Sequence, residues 1–434
     1  MTSFSLPDFF RNAVFSYSYR FIALIAGMAY FFVVANNLGP EKYGVLAFLL
    51  DFLGTATLLI GFNALYEILT VFIPKHRNEE TAKKLISIGI FAAFVISAFI
   101  YLFPEFVLSI ANSGDVELVR IISCVVLLST TSALFINVFT GTKNFGKIFK
   151  MGVFENILNF GFVCVFLFYF NGGLVEVVYA KIISLAGSTL LGIYFFKEIN
   201  FEKEKTNWVS IKKYAGFAFL SGIAKKTSSQ IILILVGFFV DPLRMGFYYA
   251  LLKMGTYLID MPLNALNLVL LPTVSETDSN PEKLQKMISY GIKFYVLSSI
   301  IFSAGLVIAG PIVLQFFFPA YIPAIPLIPL FATYFVLTFD IPVGTFYRAI
   351  NRNEVLFKSN IFQIFTTIIF GYFLVSSFGV EGVILTMVIN RLLILIYQYF
   401  DIKKQGYKIE FWPRFADIIF FKNSFVSVIS KKKS

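Results

Sequence analysis

The chain is written in long apolar runs separated by short polar corners. Runs of about 20 residues with few charges recur from end to end, the length a membrane-crossing helix needs. Read this way, the sequence predicts an all-α polytopic membrane protein of about twelve transmembrane helices. The first set of spans lies roughly at 13–36, 44–73, 85–103, 118–139, 151–170 and 174–196. The second lies roughly at 214–239, 245–271, 288–309, 324–347, 356–378 and 380–400. Residues 1–12 carry Phe4, Leu6, Phe9 and Phe10 and read as an amphipathic lead-in on the membrane surface. The first apolar run has no small-residue cleavage site behind it and reads as a retained span.

The corner between the first two spans organises the rest. Val34–Leu50 reads VANNLGPEKYGVLAFLL. Asn36 and Asn37 are expected to end one helix. Gly39 accepts φ > 0, and Pro40 has no N–H to donate. Glu41 and Lys42 mark the water interface, and Gly44 starts the next helix. About 200 residues later Val236–Leu252 reads VGFFVDPLRMGFYYALL. In that register Pro40 falls on Pro242, Lys42 on Arg244 and Gly44 on Gly246. The same register lays Lys84–Ile90 on Lys286–Ile292, KLISIGI on KMISYGI. Two separated matches at one offset argue for an internal duplication.

Six spans per copy is an even number, so both copies run the same way through the membrane. The expected architecture is therefore two six-helix lobes related by a parallel pseudo-twofold repeat, its axis along the membrane normal. The boundaries follow: an N-terminal lobe at 1–196, a polar linker at 197–213, a C-terminal lobe at 214–400 and a basic tail at 401–434. The apolar part of that tail, Ile418–Ile429, is interrupted by Lys422, Asn423 and Ser424. It reads as an interfacial helix, with a partial span as the alternative.

Composition supports the membrane reading. The chain is 58% hydrophobic and 14% charged, where a soluble domain carries about 25% charged residues. Its net charge of +11 would suggest nucleic acid in a soluble protein. Here the lysines and arginines divide between alternate loops at roughly 26 to 3, a bias that places the rich side in the cytoplasm. Both termini are then cytoplasmic, in an inner or plasma membrane, and the basic residues meet anionic lipid heads.

Charges within the spans are the candidate chemistry, because each costs some kcal/mol there and usually faces a cavity or a partner. Arg20 lies in the first span, Asp51 and Glu67 in the second, Lys225 and Lys226 in the seventh, Lys253 and Asp260 in the eighth. Those spans are the repeat-related pairs and would line a shared cavity. Arg20 and Lys225 fall at similar depth, so Arg20, Lys225, Lys226 and Lys253 are the candidate cationic site, suited to a phosphate or pyrophosphate. The competing reading is that these side chains snorkel to the cytoplasmic interface. Asp51, Glu67 and Asp260 are the candidate gating or ion-coupling groups. Asp51 and Lys253 are equivalent in the repeat and carry opposite signs, which suggests a gate pair; local pairing, or Asp260 as the partner of Lys253, is the alternative. Lys181, Asp340 and Arg391 are also intramembrane, and Lys181 and Arg391 read as helix-packing residues. The corner positions Gly39, Pro40, Gly44, Pro242 and Gly246 are structural.

Catalytic chemistry finds little support. The one histidine, His76, sits between Lys75 and Arg77 in a loop, which speaks against a triad or a metal cluster. Cys124 and Cys164 lie in apolar spans, which disfavours a disulfide framework. No Gly-x-x-x-x-Gly-Lys-Ser/Thr loop is present. The expectation is a non-enzyme with no metal, no cofactor, no nucleotide and no nucleic-acid partner.

The span plan, the LGPEKYG corner (Leu38–Gly44) and the FGVEG phrase (Phe378–Gly382) resemble the polysaccharide-biosynthesis flippases of the multidrug/oligosaccharidyl-lipid/polysaccharide (MOP) exporter superfamily. Within it, the O-antigen (Wzx-type) and exopolysaccharide exporters are the most similar branch. The resemblance covers about residues 1–400. It implies a flippase that moves a polyprenyl-diphosphate-linked oligosaccharide from the cytoplasmic to the outer leaflet by alternating access, for surface polysaccharide assembly. Its partners would be that lipid-linked glycan, the membrane lipids and a polysaccharide polymerase complex. Alternatives within the superfamily are a lipid II flippase, which carries two further C-terminal spans, and a multidrug/cation antiporter, for which an acidic cavity is expected. A membrane-bound polymerase or ligase would need a sizeable outer loop, and the outer loops here are short.

Overall fold

A computed structural model of the chain describes residues 6–76, 79–111, 115–142, 144–199, 208–260, 281–349, 352–407 and 409–414. Those residues are helical or in short connections, with no strand among them. Ten of their helical stretches are long and apolar enough to cross a membrane. The first of these, Leu24–Thr70, holds the expected first two spans together. The chain divides into two compact units, Met1–Ala250 and Leu251–Ser434.

The first unit begins with α1, Leu6–Thr57, whose hydrogen-bond ladder runs through the first corner. The corner is still a break, because Gly39 has φ 71° and ψ 171° in the middle of it. A left-handed φ there suits glycine, since any Cβ would be strained. Asn36 and Asn37 loosen the ladder just before it: their side-chain amides donate to the Phe32 and Val33 carbonyls at 3.0 and 2.7 Å. Beyond Thr57 the helix widens into a π-turn at Leu58–Phe62, with Gly61 at φ 125°, before α2 resumes at Asn63–His76. Single π-turns of this kind kink a helix and often mark functional positions.

The remaining helices of this unit are α3 (Glu79–Leu102), α4 (Pro104–Ala111), α5 (Val116–Gly141), α6 (Phe145–Cys164), α7 (Leu174–Lys197) and α8 (Trp208–Phe239), followed by the start of α9 (Pro242–Gly255). Small residues let α3, α5 and α7 approach. A Cβ on Gly89 would stand 2.6 Å from Leu134, and one on Gly192 would stand 3.0 Å from Phe135. Close backbone approach of this kind is what holds helices together where lipid removes the hydrophobic drive. The core around them includes Leu69, Leu85, Phe139 and Met151. The opposite face of α3 carries Phe91 at 68% and Phe94 at 58% exposure. Large exposed apolar side chains on a spanning helix are its lipid face.

In the second unit α9 runs out into another π-turn, Thr256–Asp260. The post-corner helix thus widens in both copies. The rest of the expected eighth span, 261–271, lies outside the described residues. The helix α10, Pro281–Phe317, covers the expected ninth span and extends well beyond it. The expected continuous tenth span at 324–347 is corrected. It is a 3-10 segment at Pro319–Leu327, α11 at Ile328–Val336, a second 3-10 turn at Leu337–Phe339 and α12 at Asp340–Ala349. Pro342 accounts for the second break: its ring conflicts with the carbonyl four residues back, at Thr338, and it has no N–H to bond it. The helices α13 (Asn353–Phe378) and α14 (Val380–Lys404) form a hairpin at FGVEG. Gly379 turns at φ 57°, and a Cβ on Gly382 would collide with the Leu374 carbonyl.

After α14 the chain reverses at Gly406, φ 81°. The Gly406 N–H donates to the Lys403 carbonyl at 3.1 Å and the Tyr407 N–H to the Ile402 carbonyl at 3.3 Å. This pair of bonds is the usual glycine stop of a helix. The following segment straps back over the unit. The Glu410 carboxylate meets the ammonium of Lys293 on α10, and the Glu410 N–H donates to Ser289 Oγ at 3.1 Å. Phe411 packs on Tyr399 and Tyr407 on Phe346, at 5.5 and 5.1 Å between ring centres. The expected interfacial helix at Ile418–Ile429 lies outside the described residues.

Candidate functional site

The two corners that match in sequence meet in space. A Cβ placed on Gly44 would run into the Pro242 carbonyl oxygen and stand 2.5 Å from the Gly246 amide nitrogen. A Cβ placed on Gly246 would run into the Pro40 carbonyl. Pro40 and Gly44 correspond to Pro242 and Gly246 in the repeat, so the contact maps onto itself when the copies are exchanged. That is the signature of a local twofold axis. On each side the missing side chain of a glycine is what leaves room for a proline carbonyl. Gly39 differs: its Cβ would meet nothing within 4 Å, and only its backbone conformation requires glycine. The second corner needs no left-handed residue. Asp241 caps α9 instead, accepting from the Arg244 N–H at 3.0 Å, with Pro242 following it.

Just past the crossing, the polar and apolar positions of α1 are reversed relative to α3. Phe48, Leu49, Phe52 and Leu53 are buried, while Asp51 and Gly54 are exposed on one stripe. A stripe of carboxylate and glycine does not suit acyl chains. Tyr249 of α9 is fully buried beside it, with Asp51, Tyr43 and Tyr248 as its polar neighbours. Its hydroxyl reaches no partner at hydrogen-bonding geometry among the described residues. Glu67 of α2 is also exposed.

Helix α8 crosses this element at its kink. A Cβ on Gly61 would stand 3.2 Å from Phe219, and one on Gly222 would stand 2.9 Å from Asn63. Lys225 and Lys226 follow Gly222 by one helical turn. Lys226 is half-buried, and Ser229, three residues on, is exposed. Thus α1, α2 and α8, which carry Arg20, Asp51, Glu67, Lys225 and Lys226, pack together in one unit. The side chains of Arg20, Lys225 and Asp260 lie outside the described residues. Lys253 is exposed on α9 in the second unit.

The other intramembrane charges have local partners. Lys181 of α7 pairs with Glu155 of α6 at 2.8 Å. Arg391 of α14 bonds the Tyr334 hydroxyl of α11 at 3.2 Å and stacks over its ring at 5.3 Å. Both fit the packing role read from the sequence. Glu155 and Lys293 escaped that reading, although each is a charge inside an expected span. Of Asp340 only the backbone is described, at the start of α12. No group of three or more His, Cys, Asp or Glu suited to a metal occurs among the described residues.

Solved structures place this arrangement in a class. A multidrug resistance MATE family transporter of the MOP superfamily, in an inward-facing conformation, aligns with TM-score 0.69 at 16% identity, over 91% of this chain and 99% of that one. The lipid II flippase MurJ, in an inward closed conformation, aligns with TM-score 0.68 at 16% identity, over 91% and 87%. A MOP superfamily transporter from Pyrococcus furiosus, described as having a binding pocket of reverse polarity, aligns with TM-score 0.63 at 16% identity, over 91% and 95%. A search of curated proteins finds no match. The fold is therefore that of the MOP transporters, and the chain is a multi-pass membrane protein. It belongs to the polysaccharide biosynthesis protein family, whose sequence profile matches residues 9–278.

Proposed function

We propose that this protein is a flippase that carries a polyprenyl-diphosphate-linked oligosaccharide from the cytoplasmic to the outer leaflet for surface polysaccharide assembly. The family supports a role in polysaccharide biosynthesis, and the fold supports alternating access of two lobes, 1–196 and 214–400. The observation that carries the substrate class is the set of cations Arg20, Lys225 and Lys226 within expected spans, the last two one helical turn past Gly222, where α8 packs on the kinked helix. Cations in low dielectric suit a diphosphate. Both termini face the cytoplasm of an inner or plasma membrane in this reading, and no step of it is enzymatic.

Asp51 and Glu67, both exposed, favour a second reading, a cation antiporter. Binding separates the two. Purified protein in detergent is titrated with a short polyprenyl diphosphate and, separately, with an organic cation such as ethidium. The flippase reading expects binding of the diphosphate that weakens with salt and is lost in Lys225→Ala/Lys226→Ala. Binding of ethidium alone, lost in Asp51→Asn, establishes the antiporter instead.

A further inference from the structure

We infer that the Gly44–Gly246 crossing is the lock that seals the outer end of the transport path, and that its release opens that end. The assignment of this end as outer rests on the charge bias of the loops; the lock does not depend on which substrate is carried.

Three observations meet here. The contact is backbone on backbone, so no side-chain rotation can relax it: each virtual Cβ falls against a proline carbonyl or its neighbours. It joins repeat-related residues reciprocally, so it forms or breaks as one event about the local axis. Asp51 and Gly54, both exposed, follow Gly44 by about two and three turns of the same helix, and the buried Tyr249 follows Gly246 by about one. Interfaces packed this closely switch between discrete states rather than deform gradually. Glycine at both positions is therefore what lets the closed state exist.

The test reads accessibility from outside intact cells with a membrane-impermeant maleimide. Cys124 and Cys164 are replaced by Ser, and the reporter is Gly54→Cys, a position where a Cβ meets nothing within 4 Å. Ser109→Cys, exposed on α4, reports unhindered labelling. With native corners the reporter should react roughly tenfold more slowly than Ser109→Cys. Gly44→Ala, Gly246→Ala and the corresponding Val variants should bring it up to within about twofold of that control, in the order Val above Ala, because the open population rises as closure is penalised. Gly146→Ala and Gly161→Ala, both with open space around them, should leave it protected. Labelling of the native-corner reporter as fast as Ser109→Cys overturns the lock, and that arm needs no corner variant to fold. Unchanged protection in both Val variants overturns it too. Because the readout is labelling, it stands or falls apart from the substrate: protection and release as stated, with no diphosphate binding, would retire the flippase reading and keep the lock.

Discussion

Lys181 on α7 and Glu155 on α6 form an ion pair at 2.8 Å within the membrane-crossing part of the first unit. Their side chains are 31% and 19% exposed, so the pair is only partly shielded. Removing one partner strands the other in a poorly solvating environment. Lys181→Ala and Glu155→Ala should each destabilise the purified protein by about 2 kcal/mol, seen as a lower melting temperature in detergent. The double variant should be no worse than either single one. Additive losses would show that the pair is not a coupled unit.

The strap after α14 presents a comparable case. Lys293 is 5% exposed, and Glu410 of the strap is its counter-charge. Glu410→Ala should free the strap, and trypsin should then cut at Lys403, Lys404 and Arg414 several times faster than in the unaltered chain, since local opening governs cleavage. Lys293→Met in the same chain should restore much of the protection, because no stranded charge remains. Equal cleavage rates in all three proteins would show that the ion pair does not hold the strap.

The repeat register singles out Asp51 and Lys253 as equivalent positions of opposite charge, and we propose them as a gate pair. Asp51→Lys should impair export, and adding Lys253→Asp should restore it. A double reversal no better than the single one removes the pair from the mechanism and leaves Asp51 to its neighbour Tyr249.

Much of this fold could be read from one dimension. Gly39 was marked by its place before Pro40, and its positive φ follows from that pattern. The second corner was marked by Pro242 in the repeat register; its cap, Asp241, was not singled out. The need for glycine at Gly44 and Gly246 was visible only as repetition. Its cause, one backbone lying on another, depends on how two helices far apart in the chain cross. The partner of Lys181 was hidden similarly, because a contact between α6 and α7 depends on their relative rotation. Glu155 and Lys293 were legible as intramembrane charges and were passed over. Pro342 was equally legible as a helix break, since its missing N–H acts locally. The π-turns had no comparable signal: Gly61 sits in an apolar run like any other tolerated glycine.

The most direct test of the proposed activity follows the lipid-linked sugar itself. Cells depleted of the protein should accumulate the polyprenyl-diphosphate-linked oligosaccharide in the inner leaflet, out of reach of a glycan-binding reagent added outside. Restoring the native chain should return it to the outer face. Lys225→Ala/Lys226→Ala, present at normal abundance in the membrane, should leave it inside. Each lost charge-assisted contact is worth about 1.5–3 kcal/mol, so with two lost outward movement should fall by at least about a hundredfold. Normal outward movement in that double variant would contradict the cationic site, and normal movement in depleted cells would contradict the flippase itself.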